Sequence, residues 1–185
     1  MKNDFNMCPM CGSKKITNKN NLKWICPDCN FELYCNIAAA VGVIISDKDK
    51  NVLFEVRAKD PRKGYLALPG GFVDADEQAE EAIVRECIEE IGAKVKNVQF
   101  VCTNPNTYEY KGISYKTCDI FFTAQLCDAF ENMDDLIKKL TAQKSEVQGF
   151  VSYKITNEDD IDKIPLAFES AKKTLKEWVR KNDSK

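Results

Sequence analysis

Gly71–Ala93 reads GFVDADEQAEEAIVRECIEEIGA, and the chemistry of the chain is organised around it. Asp74 or Asp76 is placed to cap a helix. Along that helix Glu86, Glu89 and Glu90 are spaced i, i+3 and i+4, so at 3.6 residues per turn the three carboxylates leave one face within a single turn. Ala79 and Ala82 lie below them, where small side chains leave room for a ligand, while Ile83, Val84, Cys87, Ile88 and Ile91 form an opposite apolar arc for packing. Glu80 falls inside that arc without an explanation in the sequence. Three carboxylates so close repel one another, which raises their pKa values unless a cation sits among them. Hard oxygen ligands suit Mg²⁺ or Mn²⁺, and Mg²⁺ completes its shell with waters and substrate phosphates. A solvated acidic face is the plain alternative, because exposure is the commonest use of Glu.

The wider spacing shifts that balance. Gly71, five residues, Glu77, seven residues, then RECIEEIGA over Arg85–Ala93 resembles the Nudix box, G-x5-E-x7-R-E-U-x-E-E-x-G-U with U aliphatic, and all seven fixed letters are present. At roughly 7% usage per residue type, seven fixed positions match by chance on the order of once in 10⁸ starts. Cys87 and Ala93 depart mildly, standing where the family usually has Ile, Leu or Val. The resemblance implies that Glu86, Glu89 and Glu90 bind catalytic divalent ions, with Arg85 and Glu77 fixing the geometry around them. Arg85 is a permanently charged fork able to hold a ligand carboxylate in one rotamer, and its plainer use is a surface pair with Glu81. Gly70 and Gly71 after Pro69 suit a tight turn with positive φ, and Gly92 suits a left-handed helix end.

The rest of the composition narrows the chemistry. The 185 residues carry no histidine, which removes His-ligated metals, His bases and Ser-His-Asp triads and leaves carboxylates as the acid–base groups. A net charge of −2 gives no bulk attraction to nucleic acid or membrane. The apolar run 37–45 is too short to span a bilayer and MKNDFNMCPM lacks a signal-peptide core, so a cytoplasmic protein is expected. A homodimer is compatible with the sequence but is not indicated by any residue pattern.

Four of the nine cysteines form Cys8-Pro9-Met10-Cys11 and Cys26-Pro27-Asp28-Cys29, two C-x2-C pairs separated by fourteen residues. This predicts a zinc ribbon over residues 1–36, with Gly12 and Asn30 free to turn left-handed after each pair and a disulfide or redox site as the alternative. With all four positions filled by thiolate, such a zinc is structural. Between the pairs, SKKITNKNNLKWI combines Lys with Trp24. That hairpin is the one place left for nucleic-acid contact, through Lys14, Lys15, Lys19 and Lys23, although solvation is its plainer role.

Downstream, residues 37–45, 52–57, 66–68, 95–102, 107–125 and 147–155 read as strands, with Lys111-Gly112 as a hairpin turn. Residues 131–144 read as a helical lid or packing element, and a last helix follows Pro165. Mixed strands with few helices indicate a helix–sheet–helix arrangement over residues 37–185, in agreement with the Nudix-type α/β/α sandwich and mixed sheet that the resemblance implies. A ribbon ahead of such a domain is similar in layout to NADH pyrophosphatases. Their downstream S-Q-P-W-P-F-P-x-S motif is absent, the region reading CTNPNTYEYKGISYKTC, so NADH specificity is not implied. The expected activity is divalent-metal-dependent hydrolysis of a nucleoside diphosphate linked to another moiety, such as a dinucleotide or nucleotide sugar. Arg57, Arg62 and Lys63 are candidates for phosphate contact, Gly70 and Gly71 for close approach of substrate, and Tyr108 and Tyr110, with Tyr115, for base stacking or plain packing; the expected proton acceptor is Glu86 or Glu89, with Glu146 as a candidate from a loop outside the box. The rival expectations are a nucleotide-binding module with an inactive body, and hydrolysis of nucleotide caps on RNA held by the ribbon.

Overall fold

The computed structural model describes residues 5–183. Near the N-terminus β1 (Thr17–Lys19), β2 (Lys23–Ile25) and β3 (Glu32–Tyr34) form an antiparallel sheet over a small core of Cys8, Ile16, Trp24 and Cys26, with Phe31 against it. Trp24 is buried there with Phe5 edge-on at 5.1 Å, so it is not the surface stacking platform that its Lys-rich neighbours suggest. So small a unit has few apolar side chains, and its one Trp is needed inside.

The body is built from β4 (Ala38–Ile44), β5 (Asn51–Arg57), β6 (Leu66–Ala67), β7 (Val95–Tyr110), β8 (Ile113–Leu126) and β9 (Val147–Lys154). One sheet has the order β4-β8-β7, parallel then antiparallel, and the other has the antiparallel order β6-β5-β9. They join at the β4–β5 turn, where the Leu53 N–H donates to the Ile45 carbonyl at 3.0 Å. The helices are α1 (Ala79–Glu86), which runs on through a wider turn at residues 87–91, α2 (Met133–Lys139), α3 (Glu158–Asp162) and α4 (Glu169–Asp183). Successive strand side chains point to opposite faces, so Val43 and Leu53 enter the cluster under α1 and α2 while Ile44 and Phe54 enter the one under α3 and α4. That double burial explains the unbroken apolar runs of β4 and β5. The architecture is the expected α/β/α sandwich.

Three local expectations change. Residues 103–106 stay in β7 despite Pro105, because β7 is an edge strand where a missing N–H costs no ladder bond. The helix expected over 131–144 shrinks to α2, which starts at an Asn132 cap and buries Met133 and Leu136, making it a packing element. The short α3 was not expected; its signal was Asn157 with Asp160 three residues on, a reciprocal cap too brief to stand out beside longer periodic stretches. Lys111 and Gly112 do form the hairpin turn, with φ of 47° and 82°. Residues 35–37 link the two parts, and residues 1–4 and 184–185 of the expected spans lie outside the described residues. No helix among the described residues is long and apolar enough to cross a membrane.

Candidate active site and cysteine cluster

Helix α1 starts at Gln78, not at Asp74 or Asp76, and the Glu81 carboxylate accepts the Gln78 N–H at 3.0 Å. Glu81 therefore closes the helix start and is not the partner of Arg85. Burial recurs every four residues, at Ala82/Ile83, Glu86/Cys87 and Glu90/Ile91. A regular 3.6-residue turn would rotate the last pair away, whereas the wide turn, closed by the Gly92 N–H on the Cys87 carbonyl, keeps it inward. The two faces expected from the sequence are thus redrawn. Ala82 is sealed in the core and clears no room for a ligand, Ile88 is 45% exposed, and Glu86 and Glu90 share the buried side. Glu80 lies outside, on the solvent side.

Residues 69–73 run along the free edge of β4, where Val43 N–H donates to Pro69 O at 2.9 Å and Val41 N–H to Gly71 O at 2.8 Å. Gly70 has φ +140°, and a Cβ there would collide with the Val41 carbonyl. Gly71 needs no positive φ. Its missing side chain is instead required by Glu86, whose Oε1 would stand 2.5 Å from a Cβ. The Gly70 N–H donates to Glu90 Oε2 at 2.8 Å. Arg85 binds Glu77 through Nε (2.8 Å) and Nη2 (2.9 Å), Glu86 through Nη1 (2.9 Å), Glu89 through Nη1 (3.2 Å) and the Phe72 carbonyl through Nη2 (3.0 Å). The hydrogen bonds from Arg85 draw the Glu77 carboxyl down to about 2.

Burial, more than the mutual repulsion expected from the sequence, governs the two inner acids. It is the largest cause raising Glu86, where Arg85 opposes and Glu89 and Glu146 reinforce. Glu90, 4% exposed, is pushed up to about 8 by burial first, with the Gly70 N–H opposing and the charges of Glu86 and Glu146 adding. Behind it the sequence concealed Glu55, on β5 and 3% exposed, raised well above the ordinary value by burial first and then by the neighbouring charge of Glu90. Its Oε2 has no hydrogen-bond partner. The only hint was a Glu inside the apolar run VLFEV.

These acids head a cleft of about 430 Å³. Glu146 lines it, tied to Lys59 Nζ at 2.6 Å and carried in by a loop whose Gln143 N–H donates to the Glu90 carbonyl at 3.3 Å. Arg57, Tyr108 and Tyr110 also line it, as expected. The Arg57 guanidinium lies 5.1 Å over the Phe168 ring, with Nε on the Pro61 carbonyl and Nη2 buried without a partner. Lys59, not Arg62 or Lys63, joins Arg57 and Arg85 in the lining, and Arg62 stacks on Tyr65 instead. Tyr115 sits against Phe72 outside the lining. Space comes from Ala40 and Gly42 of β4, a clearing that Ala79 and Ala82 do not supply.

A match to the NUDIX domain model extends over residues 36–178. The chain belongs to the Nudix family. It is 45% identical over 96 residues to the ADP-ribose pyrophosphatase of Methanocaldococcus jannaschii, covering 51% of this chain and 53% of that protein. It is 33% identical over 98 residues to the NAD-capped RNA hydrolase NudC of Escherichia coli, covering 53% of this chain and 37% of that one. The chain thus spans about half the length, or less, of these curated relatives. The fold is shared with a Nudix hydrolase from Nitrosomonas europaea (TM-score 0.65, 23% identity, 96% and 92% of the two chains). It is shared also with the Nudix domain of Shewanella oneidensis NrtR, solved with ADP ribose (TM-score 0.58, 22% identity, 80% and 88%).

Against this Nudix body stands the cysteine cluster. The thiols of Cys8, Cys11, Cys26 and Cys29 all lie within 4.8 Å of one another, the one convergent ligand set of this kind among the described residues. Gly12 (φ 72°) and Asn30 (φ 59°) turn left-handed after each pair as expected, and four thiols with no carboxylate suit zinc. The Nudix acids offer a different fit. Their oxygens suit a hard divalent ion, and the raised Glu86 and Glu90 are the groups whose ionisation such a charge would favour.

Proposed function

We propose that the cleft hydrolyses a diphosphate bond in a nucleoside diphosphate linked to another moiety, with Mg²⁺ or Mn²⁺ held by Glu86, Glu89 and Glu90. A structural zinc would be held by the ribbon of residues 1–36, beside a catalytic body of residues 37–185. The observation that carries the reading is a cleft with partly buried acids at one end and three cations in its lining, Arg85 and Lys59 paired with acids and Arg57 with a buried N–H group still unpartnered. Phosphate oxygens are drawn to the cations, and the acids accept them only through an intervening positive ion. When bound, that ion supplies charge neutralisation and a lowered pKa for the attacking water.

Each side chain then has a task. Arg85, fixed by Glu77, holds Glu86 and Glu89 in single rotamers, and the Gly70 N–H holds Glu90. The unpartnered Nη2 of Arg57 is available to a phosphate oxygen. Glu146, facing Glu86 and Glu90 from a separate loop, takes the proton of the water, because carboxylates that already hold metal are poorer bases. Similarity to the ADP-ribose pyrophosphatase supports a small-molecule substrate. Similarity to the NAD-capped RNA hydrolase supports a second reading, cap removal from RNA. The first is favoured because Lys15 and Lys23 of the ribbon are paired with Asp28 and Glu32, both at 2.9 Å, which lowers its pull on a phosphate backbone. Incubation with Mg²⁺ or Mn²⁺ and a panel of NADH, ADP-ribose, nucleoside triphosphates and dinucleoside polyphosphates should yield a nucleoside monophosphate from at least one diphosphate-linked compound. Failure on every member would overturn the reading, and submicromolar salt-sensitive binding of single-stranded RNA would favour cap removal.

A further inference from the structure

One end of the cleft is built around a further buried carboxylate that hydrolysis does not use. Asp119 of β8 is 8% exposed and lines the cleft, and no Lys or Arg pairs with it among the described residues. Its Oδ1 accepts the Thr117 hydroxyl at 2.6 Å and its Oδ2 accepts the Ser170 hydroxyl at 2.7 Å. Both hydroxyl protons are therefore spent. What the three side chains still offer a ligand is acceptors alone.

Register places this edge opposite the acids. Phe72 bridges Ala40, Ala40 pairs with Asp119, and Asp119 pairs with Asn104, so these residues lie side by side on one face of the sheet. Two strand spacings separate Phe72 from Asp119, roughly 10 Å. Gly71, next to Phe72, touches Glu86, and Ala40 leaves the space between open. With phosphates at the acids and a ribose over Ala40, the base arrives at Asp119. Tyr108 and Phe168, packed on each other with ring centroids 5.7 Å apart and tilted by 36°, line the same cleft and offer the base an aromatic wall. Asn106 also lines the cleft, paired with Thr117 across the strands; its side-chain carbonyl accepts the Thr107 N–H at 2.8 Å, so its amide N–H₂ is the group it can turn to a ligand.

We propose that Asp119, with Thr117 and Ser170 behind it and Asn106 beside it, reads the base of the nucleotide and selects guanine. Guanine presents two adjacent donors, N1–H and N2–H₂, to a carboxylate, and beside them an O6 acceptor that suits Asn106. Adenine and cytosine set an acceptor next to their single amino group, where it would face a carboxylate oxygen. Uracil places its N–H between two carbonyls, and hypoxanthine lacks the N2 amine. The assignment rests on the cleft being a nucleotide site, and it departs from the adenosine compounds named for the relatives.

Calorimetric titration of the zinc-loaded protein with GMP, IMP, AMP, UMP and nicotinamide mononucleotide, without Mg²⁺, tests the base alone. GMP should bind at least about tenfold more tightly than IMP or AMP, the value of one hydrogen bond to a charged acceptor. Asp119→Asn, which places an N–H₂ donor in the same outline, should turn the preference from GMP towards XMP, whose C2 carbonyl accepts it. The wild-type panel stands whether or not that variant folds. Equal affinity for GMP and IMP, or tightest binding of AMP or nicotinamide mononucleotide, overturns the assignment. In the same panel with Mg²⁺, equal kcat/KM for guanosine and adenosine diphosphate sugars would overturn it while leaving hydrolysis intact. Selective GMP binding without hydrolysis of any compound would do the reverse.

Discussion

The chain holds two sets of metal-type ligands, and they are prepared in opposite ways. The four ribbon thiols converge within 4.8 Å, with a core of four buried residues around them, two of which are the cysteines themselves. The helix-end carboxylates are held apart by groups of the protein, Glu86 and Glu89 by Arg85 and Glu90 by the Gly70 N–H, above two extensive cores. A closed thiolate site is a fold-making device. An open carboxylate site lets a scaffold that is stable without metal carry acids whose charges disfavour one another until a cation arrives.

Removing the zinc proposed for the four thiols should have the largest effect, because structural zinc contributes on the order of 10–16 kcal/mol and the ribbon has little else. After chelation, hydrogen exchange should rise to unfolded rates across the ribbon while β4–β9 stay protected; equal loss in both would show that the body depends on the ribbon. Next comes Glu89→Gln or Glu90→Gln, each expected to lower turnover by roughly 10² to 10⁴ with the fold intact. Full wild-type rates at limiting Mg²⁺ would reduce these acids to a structural cluster.

The acids also set a pH dependence of stability, opposite in sign to that of a thiolate site, which needs its ligands deprotonated. Glu90 stands at about 8 in the fold against an ordinary 4.5. Below the ordinary value both states hold the proton and nothing is lost. Between the two values only the unfolded chain releases it, so each pH unit costs about 1.4 kcal/mol of stability, complete near the folded value. Zinc-loaded protein without Mg²⁺ should therefore melt at steadily lower temperature from pH 5 to pH 8. Glu90→Gln should flatten the slope and Mg²⁺ should restore stability, whereas an unchanged slope in the variant would place the cause elsewhere. Arg85→Lys, which keeps the charge and loses the fork, should weaken Mn²⁺ binding by about 10- to 100-fold, measured by electron paramagnetic resonance. At the bottom of the scale, Glu169→Gln on the exposed start of α4 should shift neither activity nor melting beyond about 0.5 kcal/mol.

The cysteine spacing, the seven box positions, the strands and the hairpin at Lys111-Gly112 were legible in the sequence, because each depends on residues close in the chain. Periodicity also located Glu86, Glu89 and Glu90 on one short stretch, but it misassigned their surroundings. A wide last turn is imposed by packing and not by propensity, so only the folded helix shows Glu86 and Glu90 inside, Ile88 outside and Ala82 sealed away. Glu55 comes to the back of Glu90, and Lys59 and Asp119 to the cleft, from strands or loops that the box does not contain, and little in their neighbours announces it. The sequence alone therefore determined the family resemblance, the ligand types and the alternation of elements, which are properties of spacing along the chain. Which carboxylates are buried, what holds them and which acceptors line the cleft were decided only when separate strands were brought into register, because desolvation and hydrogen bonding depend on neighbours in space.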